Sequence, residues 1–315
     1  MSEYYIFKLS ENVSRTHVRY KNRYGIELAG DLYMAKNREE GRKYPALVVG
    51  APYGGVKEQG PGVYANELAQ RGFVVLTFDP SFKGESGGEP RQVSSPEIFS
   101  EDFSAGVDYL GTRPFVNREQ IGAIGICGSG GFALSAAQMD SRIKAVATAS
   151  MYDISAMRGT MSQEELSYRI DELSRKRFRD FEKGEPEYIP SFPETPADAI
   201  PEGLDSVGAE FFSFYGLKRG HHPNARAGHT TTSDLSFLNY QLLNHIDTIS
   251  PRPILFIMGE NAHSRFFSEN AYAAAAEPKE LCIVPNAIHI DLYDDIEKIP
   301  FSKMEDFFMT AFKSE

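Results

Sequence analysis

A glycine-rich turn between a short apolar stretch and a small-residue helix constrains this chain more than any other feature. The apolar stretch ends at Ile126, and the turn that follows reads Cys127-Gly128-Ser129-Gly130-Gly131. Small neighbours let a strand and a helix approach closely around one strained residue. A strand that turns sharply into a helix in this way presents a nucleophilic side chain at the bend. The sequence therefore predicts a nucleophile elbow centred on Cys127.

Two residues of this turn are candidate nucleophiles. For Cys127, a helix N-terminus and a nearby imidazole would both lower the thiol pKa from its free value of about 8.5, which predicts a thiolate. The alternative for this residue is a small buried side chain at the end of a strand. Ser129 also fits the spacing of small residues, but its use would lengthen the preceding strand by two residues. Serine is common in a first helical turn because it satisfies free backbone N–H groups.

Short apolar stretches alternate with helical patterns along most of the chain. The predicted strands cover residues 44–50, 73–79, 121–126, 143–150, 253–258 and 280–284, after a hairpin of residues 15–20 and 25–34. The predicted helices between and after them cover residues 61–71, 97–110 and 302–312. Alternation of this kind implies right-handed crossovers. We therefore predict the α/β class, with a mostly parallel central sheet flanked by helices.

The strand pattern stops for about a hundred residues, from Met151 to Ser250. Residues 163–182 are helical and charged, residues 184–201 are rich in Pro and Glu, and residues 210–215 are rich in aromatic side chains. A stretch of this length is too long for a loop. We predict a core of residues 1–150 and 251–315 with an inserted helical cap of residues 151–250. The cap aromatics Phe211, Phe212, Phe214 and Tyr215 either line an apolar pocket or pack within the cap.

Composition excludes several classes of function. The formal net charge of −11 disfavours binding to nucleic acid, because an acidic surface repels phosphates. We find neither an apolar run long enough to span a bilayer nor a signal peptide at the N-terminus. The two cysteines, Cys127 and Cys282, suit a reducing cytoplasm better than a disulfide framework. We expect no cofactor and no metal, since His221, His222 and His229 lack a Cys or Glu spaced to complete a site.

Five segments together resemble the α/β-hydrolase superfamily, and within it the dienelactone-hydrolase-like branch that includes the YcjY-type hydrolases. They are residues 53–59 (Tyr-Gly-Gly-Val-Lys-Glu-Gln), residues 78–88 (Phe-Asp-Pro through Gly-Glu-Ser-Gly-Gly), residues 125–128, residues 258–260 and residues 288–293. The resemblance implies the α/β-hydrolase fold and supports a cysteine nucleophile. It also implies that the general base is His289, in the loop after the last strand.

The resemblance also suggests the remaining catalytic groups. The oxyanion hole would consist of the backbone N–H groups of Gly128 and Tyr53, since Pro52 has none. The family usually places an aspartate at the position of Ala262, which cannot act as an acid. Glu260 is the nearest carboxylate and the first candidate to orient His289, and Asp153 is the second. A thiol needs less activation than a hydroxyl, so a weak third member is tolerated. His263, in the same loop, is either a catalytic or a structural hydrogen-bonding residue.

These residues predict a hydrolase that cleaves an ester, thioester or lactone through an acyl-enzyme intermediate on Cys127. The expected partner is a small acyl substrate. One alternative is an acyltransferase that passes the same acyl group to an alcohol or amine. Another is a non-catalytic ligand-binding member of the superfamily. The sequence leaves the oligomeric state open, a homodimer included.

Overall fold

The computed structural model describes residues 4–313, which form one eight-stranded mixed sheet with helices on both faces. The first three residues, part of the N-terminus for which we predict no signal peptide, and the last two lie outside the described residues. The strand order is β1-β2-β4-β3-β5-β6-β7-β8. The strands are β1 (Val13–Lys21), β2 (Glu27–Ala35), β3 (Tyr44–Gly50), β4 (Val74–Phe78), β5 (Val116–Ile126), β6 (Val146–Ala149), β7 (Ile254–Gly259) and β8 (Lys279–Val284).

The α/β class and the mostly parallel sheet are confirmed. The hairpin β1–β2 is antiparallel, β2 pairs antiparallel with β4, and every pairing from β4 to β8 is parallel. The predicted strand at residues 143–150 is shorter, because it begins at Val146 and residues 143–145 only lead into it. The carboxyl ends of the parallel strands therefore share one edge of the sheet, where ligand sites form in sheets of this kind.

Helices cover the sheet and fill the interval between β6 and β7. In chain order they are α1 (Gly60–Gln70), α2 (Pro96–Gly111), α3 (Ser129–Met139), α4 (Gln163–Lys183), α5 (Ser206–Tyr215), α6 (Asp234–Asn239), α7 (Arg265–Ala274), α8 (Asp291–Asp294) and α9 (Phe301–Ala311). The segment of residues 151–250, which we call the cap segment, holds α4 to α6 and short 3₁₀ turns. Its separation from the core as a unit stays a prediction. No described helix is long and apolar enough to cross a bilayer.

The protein has two hydrophobic cores, one on each face of the sheet, because the side chains of each central strand alternate between the two faces. Leu47 and Val49 of β3 pack on the face that carries α1 and α9. Ala46 and Val48 pack on the face that carries α2 and α3. All four are fully buried. A strand buried on both faces reads as a continuous apolar run, and that run made β3 recognisable in the sequence.

Gly125 marks the point where β5 passes closest to the helix that follows it. A Cβ atom on this residue would lie 2.1 Å from the carbonyl oxygen of Ser129 and 2.6 Å from the Cα of Gly130. Both are backbone atoms, so no side-chain rotation could relieve the clash. The junction of β5 and α3 therefore requires glycine here.

We expect Gly125→Ala to lower the free energy of unfolding by about 3 kcal/mol or more, the upper end of what overpacking costs. Gly111→Ala is the matched control, since its Cβ would meet nothing closer than 3.8 Å. The control should change stability by less than about 1 kcal/mol. Urea unfolding of both variants measures the difference, and equal transition midpoints would contradict the argument.

Candidate active site

Cys127 lies at a sharp bend between β5 and α3. Its φ angle is 53°, in the left-handed region that residues with a side chain rarely adopt. The bend is fixed from both sides, because the Cys127 N–H donates to the Ala149 carbonyl at 2.9 Å and its own carbonyl accepts from the Tyr152 N–H at 2.9 Å. The predicted elbow geometry is therefore present in the structure. It aims the side chain at the carboxyl edge of the sheet.

Three hydrogen-bonding groups act on the Cys127 sulfur. They are the backbone N–H groups of Gly128 and Tyr53 and the hydroxyl of Tyr293, and each lowers the thiol pKa. The two amides are those that the sequence suggests for the oxyanion hole. Burial has the larger effect and raises the pKa of the Cys127 thiol above its ordinary value. The expected lowering of this pKa is thus wrong, because the side chain is only 6% exposed and loses the hydration that a thiolate needs.

The loop that supplies Tyr53 is held by a buried group of charges just beyond it. The Lys57 amine lies 3.1 Å from Asp79 and 2.8 Å from Glu85, and the Lys57 N–H donates to Asp79 at 2.9 Å. Burial alone would lower the pKa of Lys57, but the carboxylates of Asp79 and Glu58 outweigh it and raise this pKa. Asp79 follows β4 directly, so the cluster ties the loop that carries Tyr53 to the neighbouring strand.

His289 is completely buried in the loop between β8 and α8. Its Nδ1 lies 2.5 Å from the Ser264 hydroxyl, and its Nε2 lies 2.9 Å from the Tyr293 hydroxyl. The backbone is anchored as well, since the Ser150 hydroxyl donates to the His289 carbonyl at 2.9 Å. Burial, and to a smaller extent His263, holds the pKa of His289 well below its usual value. The ring is therefore an uncharged base at neutral pH.

The structure does not bring either candidate carboxylate to the His289 ring. The Glu260 carboxylate accepts from the Asn286 N–H at 2.9 Å, where a φ of 56° turns the chain after β8. The Asp153 carboxylate accepts from the Ser155 N–H at 2.9 Å and from its hydroxyl. Ser264 occupies the place that the sequence assigned to an acid. The sequence gives little indication of this role, because Ser264 is a single hydroxyl residue two positions beyond Ala262, where the family usually has its aspartate.

Ser129, the alternative nucleophile, is hydrogen-bonded to the backbone. The Ser129 hydroxyl donates to the Ala51 carbonyl, and the residue is buried at the first position of α3. This is the local hydrogen bond to the backbone that serine commonly makes near a helix start.

Tyr293 is the site residue that sequence reasoning missed. It is fully buried on the short helix α8, and its hydroxyl contacts the ring of His289. Its spacing from His289 could have identified it, because residues four positions apart lie on one face of a helical turn. Cys127 and Tyr215 are close enough to the hydroxyl to contribute, after burial, to raising the pKa of Tyr293.

His263 lies beside His289, with 4.8 Å between the ring centroids. Its Nδ1 bonds to the Glu210 carboxylate at 3.0 Å, and the other oxygen of Glu210 accepts from the Ile290 N–H at 3.0 Å. Glu210 belongs to α5 of the cap segment. One carboxylate therefore fastens this segment to both loops that carry His289 and its partner Ser264.

A cavity of about 250 Å³ opens beside the sulfur. Of the four cap aromatics predicted to line a pocket or pack internally, Phe211 and Tyr215 line the cavity and the other two do not. No charged side chain is among its lining residues, which are Tyr53, Gly54, Cys127, Tyr152, Ile154, Phe192, Phe211, Tyr215, Ala227 and Tyr293. Among residues 4–313, no group of three or more His, Cys, Asp or Glu side chains is arranged to hold a metal ion. The cavity suits an uncharged, apolar group.

A strained elbow at the carboxyl edge of a mostly parallel sheet, with a histidine in the loop after the last strand, defines an α/β hydrolase. Residues 24–180 match the family described as X-Pro dipeptidyl-peptidase (S15 family). The chain is 50% identical to the uncharacterized protein PA2218 of Pseudomonas aeruginosa, over 96% of this chain and 82% of that protein. It is 36% identical to the uncharacterized protein YcjY of Escherichia coli, over 85% and 89% of the two chains. The chain therefore belongs to the α/β-hydrolase superfamily, with YcjY among its relatives.

Solved structures agree with this assignment. The crystal structure of the Pseudomonas protein PA2218 superimposes with a TM-score of 0.92, covering 99% of this chain and 98% of that one at 48% identity. The α/β hydrolase GrgF from Penicillium superimposes with a TM-score of 0.79, covering 95% and 99% at 26% identity. A protein named thiohydrolase aneE, from Aspergillus aculeatus, is 28% identical over 80% of this chain and 78% of its own length. Proteins named as an α/β hydrolase and a thiohydrolase are thus among those that this chain resembles.

The depressed pKa of His289 predicts how stability depends on pH. The histidine of the unfolded chain binds a proton below about pH 6.5, whereas the His289 ring of the folded protein binds one only at a lower pH. Stability is therefore retained above about pH 6.5 and lost as the pH falls below it. We expect His289→Gln to reduce this slope by up to about 1.4 kcal/mol per pH unit, the value for one proton.

Urea unfolding of the wild type and the variant from pH 7.5 to 5.5 measures the two slopes. His222, whose pKa burial lowers to about 4, keeps some slope in both proteins. His245→Gln, at an exposed histidine, is the matched control for the substitution itself. A His289 variant with the wild-type slope would show that the ring takes up its proton freely in the folded protein.

Proposed function

We propose that this protein hydrolyses an acyl thioester or ester through an acyl-enzyme intermediate on Cys127. The observation that carries the proposal is the sulfur at a strained bend with the amides of Tyr53 and Gly128 both aimed at it. Donors that converge on the point where charge develops contribute most of the electrostatic stabilisation in acyl transfer. The relatives named thiohydrolase aneE and polyketide transferase GrgF support the choice of acyl chemistry.

The reaction proceeds in two halves. The Cys127 proton passes to His289 as the sulfur attacks the carbonyl carbon, and the carbonyl oxygen becomes an oxyanion held by the Tyr53 and Gly128 amides. When the tetrahedral intermediate collapses, the bond to the leaving group breaks and the imidazolium protonates that group. His289 then takes a proton from water, the hydroxide attacks the thioester, and the acid leaves while Cys127 regains its proton.

The cavity favours an uncharged acyl group. Its walls are aromatic and aliphatic, and a charged acyl chain would be stripped of water without an ionic partner. A volume of about 250 Å³ corresponds to roughly eight water-sized units, so a short or medium acyl chain fits. A thioester is the better substrate, because its thiol leaving group has a pKa of about 8.5 and departs with little assistance.

Acyl transfer to an alcohol or amine is the second candidate. It is favoured by the burial of Cys127 beneath aromatic rings of the cap segment, which restricts the access of water to the acyl-enzyme. The relative GrgF carries the name polyketide transferase. Product analysis with an added acceptor separates the two reactions, since only transfer gives an acylated acceptor.

Both cysteines are free in the structure. The reaction needs Cys127 as a reduced thiol. We propose a reducing compartment such as the cytoplasm, where the Cys127 thiol would stay reduced.

Replacement of the nucleophile tests the proposal directly. We expect Cys127→Ala to abolish turnover of p-nitrophenyl esters and of short acyl thioesters, because no other group can form the acyl-enzyme. Ser129→Ala should retain most of the turnover and lose about 1 kcal/mol of stability with its hydrogen bond to Ala51. Steady-state rates and the mass of the trapped acyl-enzyme provide the measurement.

The opposite pattern would move the nucleophile to Ser129. A wild-type protein that binds acyl thioesters and never turns them over would indicate the non-catalytic, ligand-binding alternative instead.

Ser264 gives a second test at the base. We expect Ser264→Ala to lower kcat/KM about tenfold, since a hydrogen bond of this kind contributes about 0.5–1.5 kcal/mol and orients the His289 ring. Ser268→Ala is the matched control on α7, the helix that begins directly after Ser264, because this serine is fully buried and its hydroxyl has no hydrogen-bond partner. Equal activity of the two variants would remove Ser264 from the mechanism.

A further inference from the structure

The nitrogen of His289 that should face the nucleophile is occupied by another side chain. The Tyr293 hydroxyl lies 2.9 Å from Nε2, and the same hydroxyl is one of the groups that lower the pKa of the Cys127 thiol. Both Cys127 and Tyr293 line the apolar cavity. A phenol oxygen therefore stands between the acid and the base of the proposed reaction.

The hydrogen-bonding capacities of these groups define one arrangement. A phenol has one proton to donate and two lone pairs to accept with. For Nε2 to accept from Tyr293, the ring proton must be on Nδ1, where it is donated to the Ser264 oxygen 2.5 Å away. The Tyr293 oxygen then keeps lone pairs with which it can accept the proton of the Cys127 thiol. Every proton between the sulfur and the imidazole then has an acceptor.

We infer that Tyr293 is a catalytic residue that relays the proton between Cys127 and His289. The inference rests on the proposed function for its role in turnover. As the sulfur attacks the carbonyl carbon, the S–H proton moves to the Tyr293 oxygen while the Tyr293 proton moves to Nε2. The carbon–sulfur bond forms, the carbonyl π bond becomes the oxyanion, and the phenol emerges neutral. The return path carries the imidazolium proton through the same oxygen to the leaving group.

Burial of the phenol supports a concerted transfer. Tyr293 is fully buried, with the rings of Phe214 and Tyr215 packed against it, so a phenolate would have no water to solvate it. Burial raises its pKa well above the ordinary value, and a phenolate intermediate would not accumulate. Both protons must therefore move within one step.

The relay is tested through the reactivity of the sulfur, which needs no substrate. Cys127 is alkylated with iodoacetamide at pH 7.5, and the rate at this residue is followed by peptide mass spectrometry. Without the hydroxyl, Tyr293→Phe leaves His289 with no path to the thiol. We expect the variant to react about a hundredfold more slowly, the lower end of what general acid–base catalysis contributes. Equal rates in the two proteins, including the case in which neither reacts, overturn the relay.

Two further variants distinguish a proton path from a structural role. Tyr64→Phe removes another buried phenol, which bonds to the Leu292 carbonyl beside Tyr293 at 2.7 Å, and should keep the wild-type alkylation rate. Addition of Tyr293→Phe to His289→Gln should cause no further loss, since residues of one path act as a unit. If the two substitutions instead lowered the alkylation rate by independent factors that multiply, the relay would be contradicted.

Turnover of a p-nitrophenyl ester by the wild type in mixtures of light and heavy water needs no variant. Two protons in flight give a curved dependence of the acylation rate on the deuterium fraction, and a linear dependence overturns the concerted relay. Failure of the proposed function is seen separately, as turnover that survives Cys127→Ala. In that case the alkylation rates still decide whether Tyr293 connects sulfur and imidazole.

Discussion

The strained backbone of Cys127 is the constraint on which the site depends. A non-glycine residue at a φ of 53° costs about 1–3 kcal/mol and persists only where the surroundings enforce it. Here β6 enforces it through the Ala149 carbonyl, and the absence of a side chain at Gly125 lets α3 start against β5. Released from that bend, the sulfur would lose the Gly128 and Tyr53 amides together, because one backbone turn presents it to both.

The parts of the site that follow local rules could be predicted from the sequence. The spacing of the glycines indicates the elbow, and the resemblance to α/β hydrolases points to His289 in the loop after the last strand. The partner of the imidazole could not be predicted in the same way. Glu260 has the right chemistry, but the turn at Asn286 uses its carboxylate, and this depends on two loops meeting in space. Ser264 has weaker chemistry and the right position.

The cap segment shows the same limit at longer range. Its length and composition indicated a helical insertion, but no local pattern identifies Glu210 as the residue that joins α5 to the loops that carry Ser264 and His289. Its partners His263 and Ile290 are 53 and 80 residues away along the chain. The aromatic run of α5 was equally ambiguous, because only its docking against the core decides that Phe211 faces the cavity while Phe214 packs against Tyr293. Sequence periodicity describes a helix face but does not say what will cover it.

The electrostatics of the site follow from burial rather than from the elbow alone. A helix N-terminus and an imidazole stabilise a thiolate when the sulfur is partly hydrated, which was the assumption behind the sequence prediction. In the structure, burial raises the pKa of Cys127 and lowers that of His289, so both groups rest uncharged. An ion pair then forms only when a bound carbonyl gives the negative charge a place between two amides. Such a sulfur carries no charge at rest, and the proposed relay through the Tyr293 hydroxyl lets its proton leave as the sulfur attacks an electrophile.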